Sequence, residues 1–356
     1  MTLDIKEILI NLSEGTGVSG YELGIAAYLE RKCPWADEIR RDKLGNLIML
    51  KRARPAADPP CRPKVMLAAH MDEIGLIITK IEDEGFLRFS TVGGIDQRVL
   101  LAQEVVVHGK TELPGVVGAK PPHVQTPEER NNAVPMEQLY IDVGYSSKEQ
   151  LNGLVSIGDL ATINRKVVNL SSSLIAGKAM DDRAGVAVML ECLKALANMN
   201  HVADVYAVAT VQEEVGVRGA TTSTFGIVPD IGIALDVGHG DMPGVADHLT
   251  ISMGNGPGIA LGPHVHPSLH NRFVQIAKDW NISFTLQPAV RPGGTDAFAI
   301  QITQAGIPTA LLSLPLRYMH TPVETLDYED VRKTGRLLAR FIAELDQEFV
   351  EGLKCF

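Results

Sequence analysis

Four short apolar runs punctuate the chain: KVMLAAH (64–70), VYAVATVQ (205–212), DIGIALDV (230–237) and PTALLSLP (308–315). They are rich in Val, Ile, Leu and Ala and do not alternate with polar residues, which predicts parallel strands covered on both faces. Helical stretches lie between them. Residues 183–198, RAGVAVMLECLKALAN, are apolar almost all round, as a buried helix would be. A last helix is predicted over residues 327–350, where Leu338, Phe341, Ile342, Leu345 and Phe349 recur at three-to-four spacing. Asp327, Glu329 and Asp330 stand in its first turn, where the helix dipole favours acids. Strands alternating with helices predict an α/β fold: a mixed, mostly parallel sheet with helices on both faces.

From residue 75 the pattern changes. GLIITKIEDEGFLRFSTVGG, QEVVVHGKTELPGVVGAK, QLYIDVGY and SIGDLATINR look like short strands separated by Gly, Pro and charged turns, with one short helix at SSKEQLNGL. That is the signature of a small β-barrel or sandwich. Helices resume near residue 180, so the expected division is an α/β domain made of residues 1–73 and 169–356. Residues 74–168 form an inserted β-barrel domain, expected to make subunit contacts. The polar, Pro-containing segment 121–138 is expected to be an exposed, mobile loop of that insertion, with His123 facing another subunit.

Composition narrows the function classes. With 33 Lys+Arg against 43 Asp+Glu the formal net charge is −10, and hydrophobic residues make up 45%. This is globular composition, and it speaks against a dedicated nucleic-acid binder, which needs clustered cations. No run of about 18 apolar residues offers a membrane span, and the first residues lack the pattern of a signal peptide. Cys33, Cys61, Cys192 and Cys355 are scattered without a CxxC pair. The expectation is a soluble, cytoplasmic protein without a disulfide framework or a thiolate zinc site.

Ligands in an open parallel sheet collect beyond the carboxyl ends of the strands. Each candidate strand runs into polar residues: His70, Asp72 and Glu73 in AAHMDEIG; Glu213 and Glu214 in VQEEVG; Asp236, with His239 close by, in ALDVGHG; His320 in LRYMHTPVE. The buried helix is preceded by Asp181 and Asp182 in AGKAMDDR. Singly, each has an ordinary explanation as a cap, a solvated strand end or a hydrogen-bonded core histidine. Together, five segments bring carboxylate or imidazole to one rim, where charged groups at buried strand ends need partners. A shared metal site solves all their desolvation at once.

Two imidazoles and three carboxylates without thiolate suit Zn²⁺, Co²⁺ or Mn²⁺. Five protein ligands are too many for one catalytic zinc with an open position but fit two divalent ions with one bridging carboxylate. If 213–214 is extended, its two side chains point opposite ways, leaving one glutamate as ligand and the other as general base. Asp72, two residues after His70, is placed to orient the imidazole.

AHMDEIG, AMDDRAG, QEEVGVRGA, ALDVG, GGTDA and MHTPVE, with GVSGYE (17–22) and DKLGN (42–46) before them, together resemble the M42 family of metallo-aminopeptidases, the glutamyl aminopeptidase or TET group. The resemblance implies His70 and Asp236 as terminal ligands of one ion, Glu214 and His320 as those of the other, and Asp181 as the bridge. It further implies Glu213 as general base and Asp182 as a supporting residue after a cis peptide. Removal of the N-terminal residue from short peptides is the implied activity, and a tetrahedral dodecamer built from dimers the implied assembly. Thr295 and Asp296 of GGTDA, with nearby Arg291, are candidates for substrate contact. The cluster His264, His266 and His270 has no accompanying carboxylate and precedes Pro267, which favours a helix start over a second metal site. A metal-independent glycoside hydrolase of the glucanase type, using paired carboxylates, is the rival reading, and it leaves both histidines idle. A non-catalytic metal-binding protein is the other.

Overall fold

The computed structural model describes residues 3–54, 62–171, 173–289 and 294–353. Among these, an eight-stranded sheet runs in the order Glu38–Arg41, Leu47–Lys51, Asp204–Thr210, Lys64–His70, Ile231–His239, Thr309–Leu316, Gly258–Leu261 and Thr285–Pro288. Its four central strands are the four apolar runs, and they pair in parallel. The flanks bring antiparallel pairing. Leu47–Lys51 pairs antiparallel with both its neighbours, and Gly258–Leu261 does so with Thr309–Leu316. The motif DKLGN is the turn of the edge hairpin, where Asp42 Oδ1 accepts from the backbone N–H groups of Leu44, Gly45 and Asn46.

Both faces of the sheet are covered, which is why the central strands carry apolar residues without alternation. On one face lie the helices Ile5–Glu14, Met180–Leu196, Pro267–Asp279 and Tyr328–Ala343, sharing one large core. On the other, Arg218–Ile227 and Asp296–Gln301 enclose Met66, Ala68, Val208, Ala234 and Ile300. The Met180–Leu196 helix buries nearly every side chain, Leu190 and Leu193 completely. Each such leucine contributes about 1.5–3 kcal/mol of transfer free energy. Its crossing with Tyr328–Ala343 depends on Gly335, where a Cβ would stand 2.5 Å from the Glu191 Cβ.

Strands Gly75–Ile81, Leu87–Val92, Tyr140–Asp142, Glu112–Gly118, Glu104–His108 and Leu160–Ile163 close into a barrel around Leu76, Leu87, Val105, Val107, Val117 and Ile141. A small antiparallel sheet of Val168–Ser171, Leu174–Gly177 and Glu324–Asp327 lies where the chain returns from the barrel to the large domain.

Three expectations need correction. The last helix is two: Tyr328–Ala343 ends before Gln347–Glu351, because Asp346 caps a new turn by accepting from the Phe349 N–H at 2.7 Å. Segment 121–138 is exposed but not structureless, since Thr126 and Glu129 form a capping box on the short helix Pro127–Arg130. Glu213 and Glu214 do not lie on an extended strand: Asp204–Thr210 has ended, and the chain turns through Gln212 at φ +56°. Among the described residues, no helix is long and apolar enough to cross a membrane.

Candidate metal centre

The parallel register assembles the first half of the site. Ala68 pairs with Ala234, and extending that register by two residues sets Asp236 beside His70, toward the carboxyl ends of adjacent central strands. Asp181 arrives from the start of the buried helix, where Ala179 is left-handed and the Asp181–Asp182 peptide is cis. Glu213 and Glu214 come from the turn after Asp204–Thr210. His320 comes from the turn after Thr309–Leu316, itself left-handed at φ +59°.

These side chains converge. Asp181 Oδ1 lies 3.0 Å from His70 Nε2, and its Oδ2 lies 3.4 Å from His320 Nε2. His320 Nε2 is 3.2 Å from Glu214 Oε1, and His70 Nε2 is 3.9 Å from Glu213 Oε2. Three donor sets able to hold a metal ion result, each with its atoms within 4.8 Å: His70, Asp181 and Asp236; Asp181, Glu214 and His320; His70, Glu213 and Glu214. Because 213–214 is a turn, both glutamates face the same space, and geometry alone does not divide ligand from base.

Asp72 is fully buried and holds several of these groups in place. It accepts from Ser19 Oγ at 2.6 Å and from the backbone N–H groups of Glu213 and Glu214 at 3.0 and 3.2 Å. Its carboxylate is also 3.5 Å from His70 Nδ1, which orients that ring. Asp182 is fully buried and accepts from the Gly185 N–H at 3.0 Å. Only glycine fits there, since a Cβ at Gly185 would stand 2.5 Å from the Asp182 carboxylate oxygens.

The electrostatics show a deficit of positive charge. Burial, then the neighbouring Asp236, pushes the Glu213 carboxyl up to about 9. Burial, then Asp181, pushes Asp236 up to about 8 and Glu324 up to about 8. His320 moves the other way to about 11, because Asp181 and Glu214 hydrogen-bond its charged form. His70 also rises despite its burial, through Asp181 and Asp72. Burial alone would raise Asp181, but the two imidazoles outweigh it and hold that carboxylate low. Left to its own side chains, the cluster must keep protons on its acids or on its imidazoles. Divalent cations answer that deficit, and the oxygen and nitrogen donors suit them.

The cleft over these residues has a volume of about 490 Å³, with Val217, Gly294, Thr295, Phe298 and Met319 completing its wall. Thr295 therefore faces it. Asp296 is not part of that wall: it is 2% exposed and accepts from the Thr210 hydroxyl. Arg291 lies outside the described residues. His266 begins the helix Pro267–Asp279 as its cap, accepting from the Ser268 N–H, and His270 bonds the Ala260 carbonyl. Neither they nor His264 belong to a donor set among the described residues. His123 is exposed in the barrel's 121–138 segment, and His239 is exposed at its strand end. Cys33 and Cys192 are buried, and burial pushes both thiols up, to about 11 for Cys33, so neither is a ready nucleophile.

Two further supports stand beside these residues. Glu73 is buried against Lys178 and Arg183, and its Oε1 also accepts from the Gly17 N–H at 2.9 Å. Arg183, fully buried, donates to the carbonyls of Met71, Leu12 and Gly15. A buried Arg three residues into an apolar helix was the available signal, since such a charge needs partners. Glu324, at the end of MHTPVE, is the other.

The family model for M42 glutamyl aminopeptidase matches residues 45–337. The lysyl aminopeptidase of Pyrococcus furiosus is 38% identical over 344 residues, covering 95% of this chain and 97% of the relative. Among solved structures, an aminopeptidase from the archaeon Desulfurococcus kamchatkensis superposes with a TM-score of 0.91 at 38% identity, covering 99% of this chain and 98% of that one. The TET1 peptidase of Pyrococcus horikoshii, which can assemble into a tetrahedron or a large octahedral shell, matches at a TM-score of 0.85 and 33% identity over 96% of this chain and 100% of its own.

Proposed function

The chain belongs to the M42 family of aminopeptidases, and from that premise we propose that it removes the N-terminal residue of short peptides with two divalent ions and Glu213 as general base. The observation that carries this reading is the single carboxylate of Asp181, whose two oxygens each face a different imidazole. One carboxylate shared by two donor sets is what a bridged pair of ions requires. His70 and Asp236 would hold one ion, Glu214 and His320 the other, and the ions are Zn²⁺, Co²⁺ or Mn²⁺. When bound, such ions lower the pKa of the attacking water and polarise the scissile carbonyl.

The chain's own residues do the rest. Glu213 belongs to the donor set with His70 and Glu214 and is not needed in the two that share Asp181. With cations offsetting Asp236 and Glu214, its carboxyl ionises, takes the proton of the attacking water and returns it to the leaving amine. Asp72 fixes the 213–214 turn by its backbone and so sets where that carboxylate points. Thr295, facing the cleft, is a candidate for contact with the substrate.

Glu213→Gln should leave the metal content at the wild-type level and lower kcat by about 10²–10⁴-fold. Near-normal turnover in that variant would remove Glu213 from the role. The glycosidase reading expects activity indifferent to chelation. The aminopeptidase reading expects loss on chelation and recovery with Zn²⁺ or Co²⁺. A panel of aminoacyl-p-nitroanilides, assayed with each metal in turn, identifies the preferred N-terminal residue and the active ion. A homo-oligomer, extending to a dodecamer with the barrel supplying contacts, and a cytoplasmic location complete the proposal. A solution mass equal to the 38.5 kDa monomer would contradict the assembly.

A further inference from the structure

Glu324 is 2% exposed and has no role in the proposed reaction, yet it touches two of the three segments that deliver one of the donor sets. Its Oε1 accepts from the backbone N–H of His320 at 2.8 Å. Its Oε2 accepts from the backbone N–H groups of Met180 and Asp181 at 2.7 and 3.1 Å. The placement comes from register: Glu324 pairs with Gly177 across the small antiparallel sheet, which brings it under the segment running to Asp181. Thr325 bonds Arg317 in both directions, tying the same point to the end of the His320 strand.

The segments so tied are ones that would not hold their shape alone. Ala179 and His320 both adopt left-handed backbone, at φ +54° and +59°, conformations that non-glycine residues keep only where surrounding contacts over-determine them. A buried carboxylate accepting three backbone N–H groups is such a contact.

The imidazole of His320 is fixed from the opposite side by the barrel. Its Nδ1 is 2.8 Å from the carbonyl oxygen of Gly94, which selects the tautomer that presents Nε2 to Asp181 and Glu214. Gly93 and Gly94 lie against the same pair of side chains. A Cβ at Gly94 would stand 3.2 Å from His320 Nδ1, and one at Gly93 would stand 3.4 Å from the Glu214 Cβ. The other terminal ligand pair, His70 and Asp236, receives no hydrogen bond from the barrel among the described residues; both stand on paired strands.

We propose that Glu324 and the Gly94 carbonyl form a positioning pair that shapes the Asp181–Glu214–His320 donor set selectively, so that the barrel completes one of the two metal sites. This rests on the two-ion reading above. In Glu324→Gln, one of the two acceptor oxygens becomes an NH₂ group facing an N–H donor, and the bracket opens on one side. In Gly94→Ala, a methyl group presses on the His320 ring while Glu324 stays intact.

The test is a Co²⁺ titration of the full-length chain after chelation, followed by calorimetry and by the visible absorption of the bound ion, with the thermal midpoint of the metal-free forms as a check on folding. Wild-type chain should take up two ions. Gly94→Ala should keep one at wild-type affinity and bind the other about 10–100-fold more weakly, the usual consequence of disturbing a group that orients a ligand. Glu324→Gln, which also loosens the main chain of the shared Asp181, should weaken that same ion more than its neighbour. Uptake of one ion by wild type would overturn the two-metal reading, and this proposal with it. Two ions in wild type and two at unchanged affinity in both variants would overturn the proposal alone, as would equal loss of both ions in Gly94→Ala. If Glu324→Gln does not fold, Gly94→Ala decides the matter by the same criterion.

Discussion

The two halves of the candidate centre are built differently. His70 ends its strand and Asp236 lies within the adjacent parallel one, on residues whose neighbours are locked by sheet register and by helices above and below. Glu214 and His320 stand on turns that begin where strands have ended, next to left-handed residues, with the side chain of His320 34% exposed at the junction with the barrel. The strand-borne half is positioned by the same packing that makes the domain stable. The turn-borne half is positioned by a few polar contacts to Asp72, Glu324 and Gly94. Rigid placement and adjustable placement therefore coexist within one cluster, joined at Asp181.

Asp181 is where this contrast can be broken most severely. Asp181→Asn should empty both donor sets together and reduce turnover by more than the roughly 10²–10⁴-fold expected for loss of a general base. Metal analysis of the purified variant checks it, and retention of a full complement of ions would show that the halves do not share this carboxylate.

The next effect is on stability and concerns the strand-borne half. Glu73→Ala leaves Lys178 and Arg183 buried without their carboxylate, and Arg183 cannot shed its proton. Urea unfolding should register a loss of about 3–5 kcal/mol. A loss near zero would mean that the sheet alone carries this half.

The same cluster predicts a pH dependence. Burial acts to raise the Glu73 carboxyl, but Lys178 and Arg183 outweigh it and hold it below the ordinary value of 4.5. A carboxyl lowered in the folded state binds fewer protons there than when unfolded, so its contribution is present above that value and fades as pH falls through its folded pKa. The stability difference between wild type and Glu73→Gln, measured from pH 7 downward, should therefore shrink on the acid side. A difference constant through that range would count against the ion cluster.

The smallest effect sharpens the comparison most directly. On chelation, deuterium uptake should rise in residues 212–217 and 318–322 and stay unchanged in the strand Lys64–His70. Equal increases in both would erase the distinction.

Much of this was legible from residue order. The four central strands declare themselves because burial on both faces removes the polar alternation that would make a strand ambiguous. The convergence of His70, Asp181, Glu214, Asp236 and His320 comes from reading the residues that stand beyond each strand end. The edge hairpin Glu38–Arg41 and Leu47–Lys51 was passed over because its strands are short and its outer member is charged. Glu324 and Gly94 act on main-chain atoms, or through them, across the small sheet and the domain boundary, and no spacing in the sequence announces such a contact. The place of Asp296 is not legible for a related reason: its neighbour Thr295 faces the cleft, and a helix start turns the next side chain inward.

The strand Lys64–His70 has both its sheet neighbours, Asp204–Thr210 and Ile231–His239, encoded beyond the barrel. On the ribosome, at roughly 5–20 residues per second, the barrel is complete while this apolar strand still has no partner, an interval of about a few seconds. A nascent chain therefore carries a sticky, unpaired ribbon beside a finished module. Expression yield, more than the stability of the mature enzyme, is where substitutions in that ribbon should first be felt.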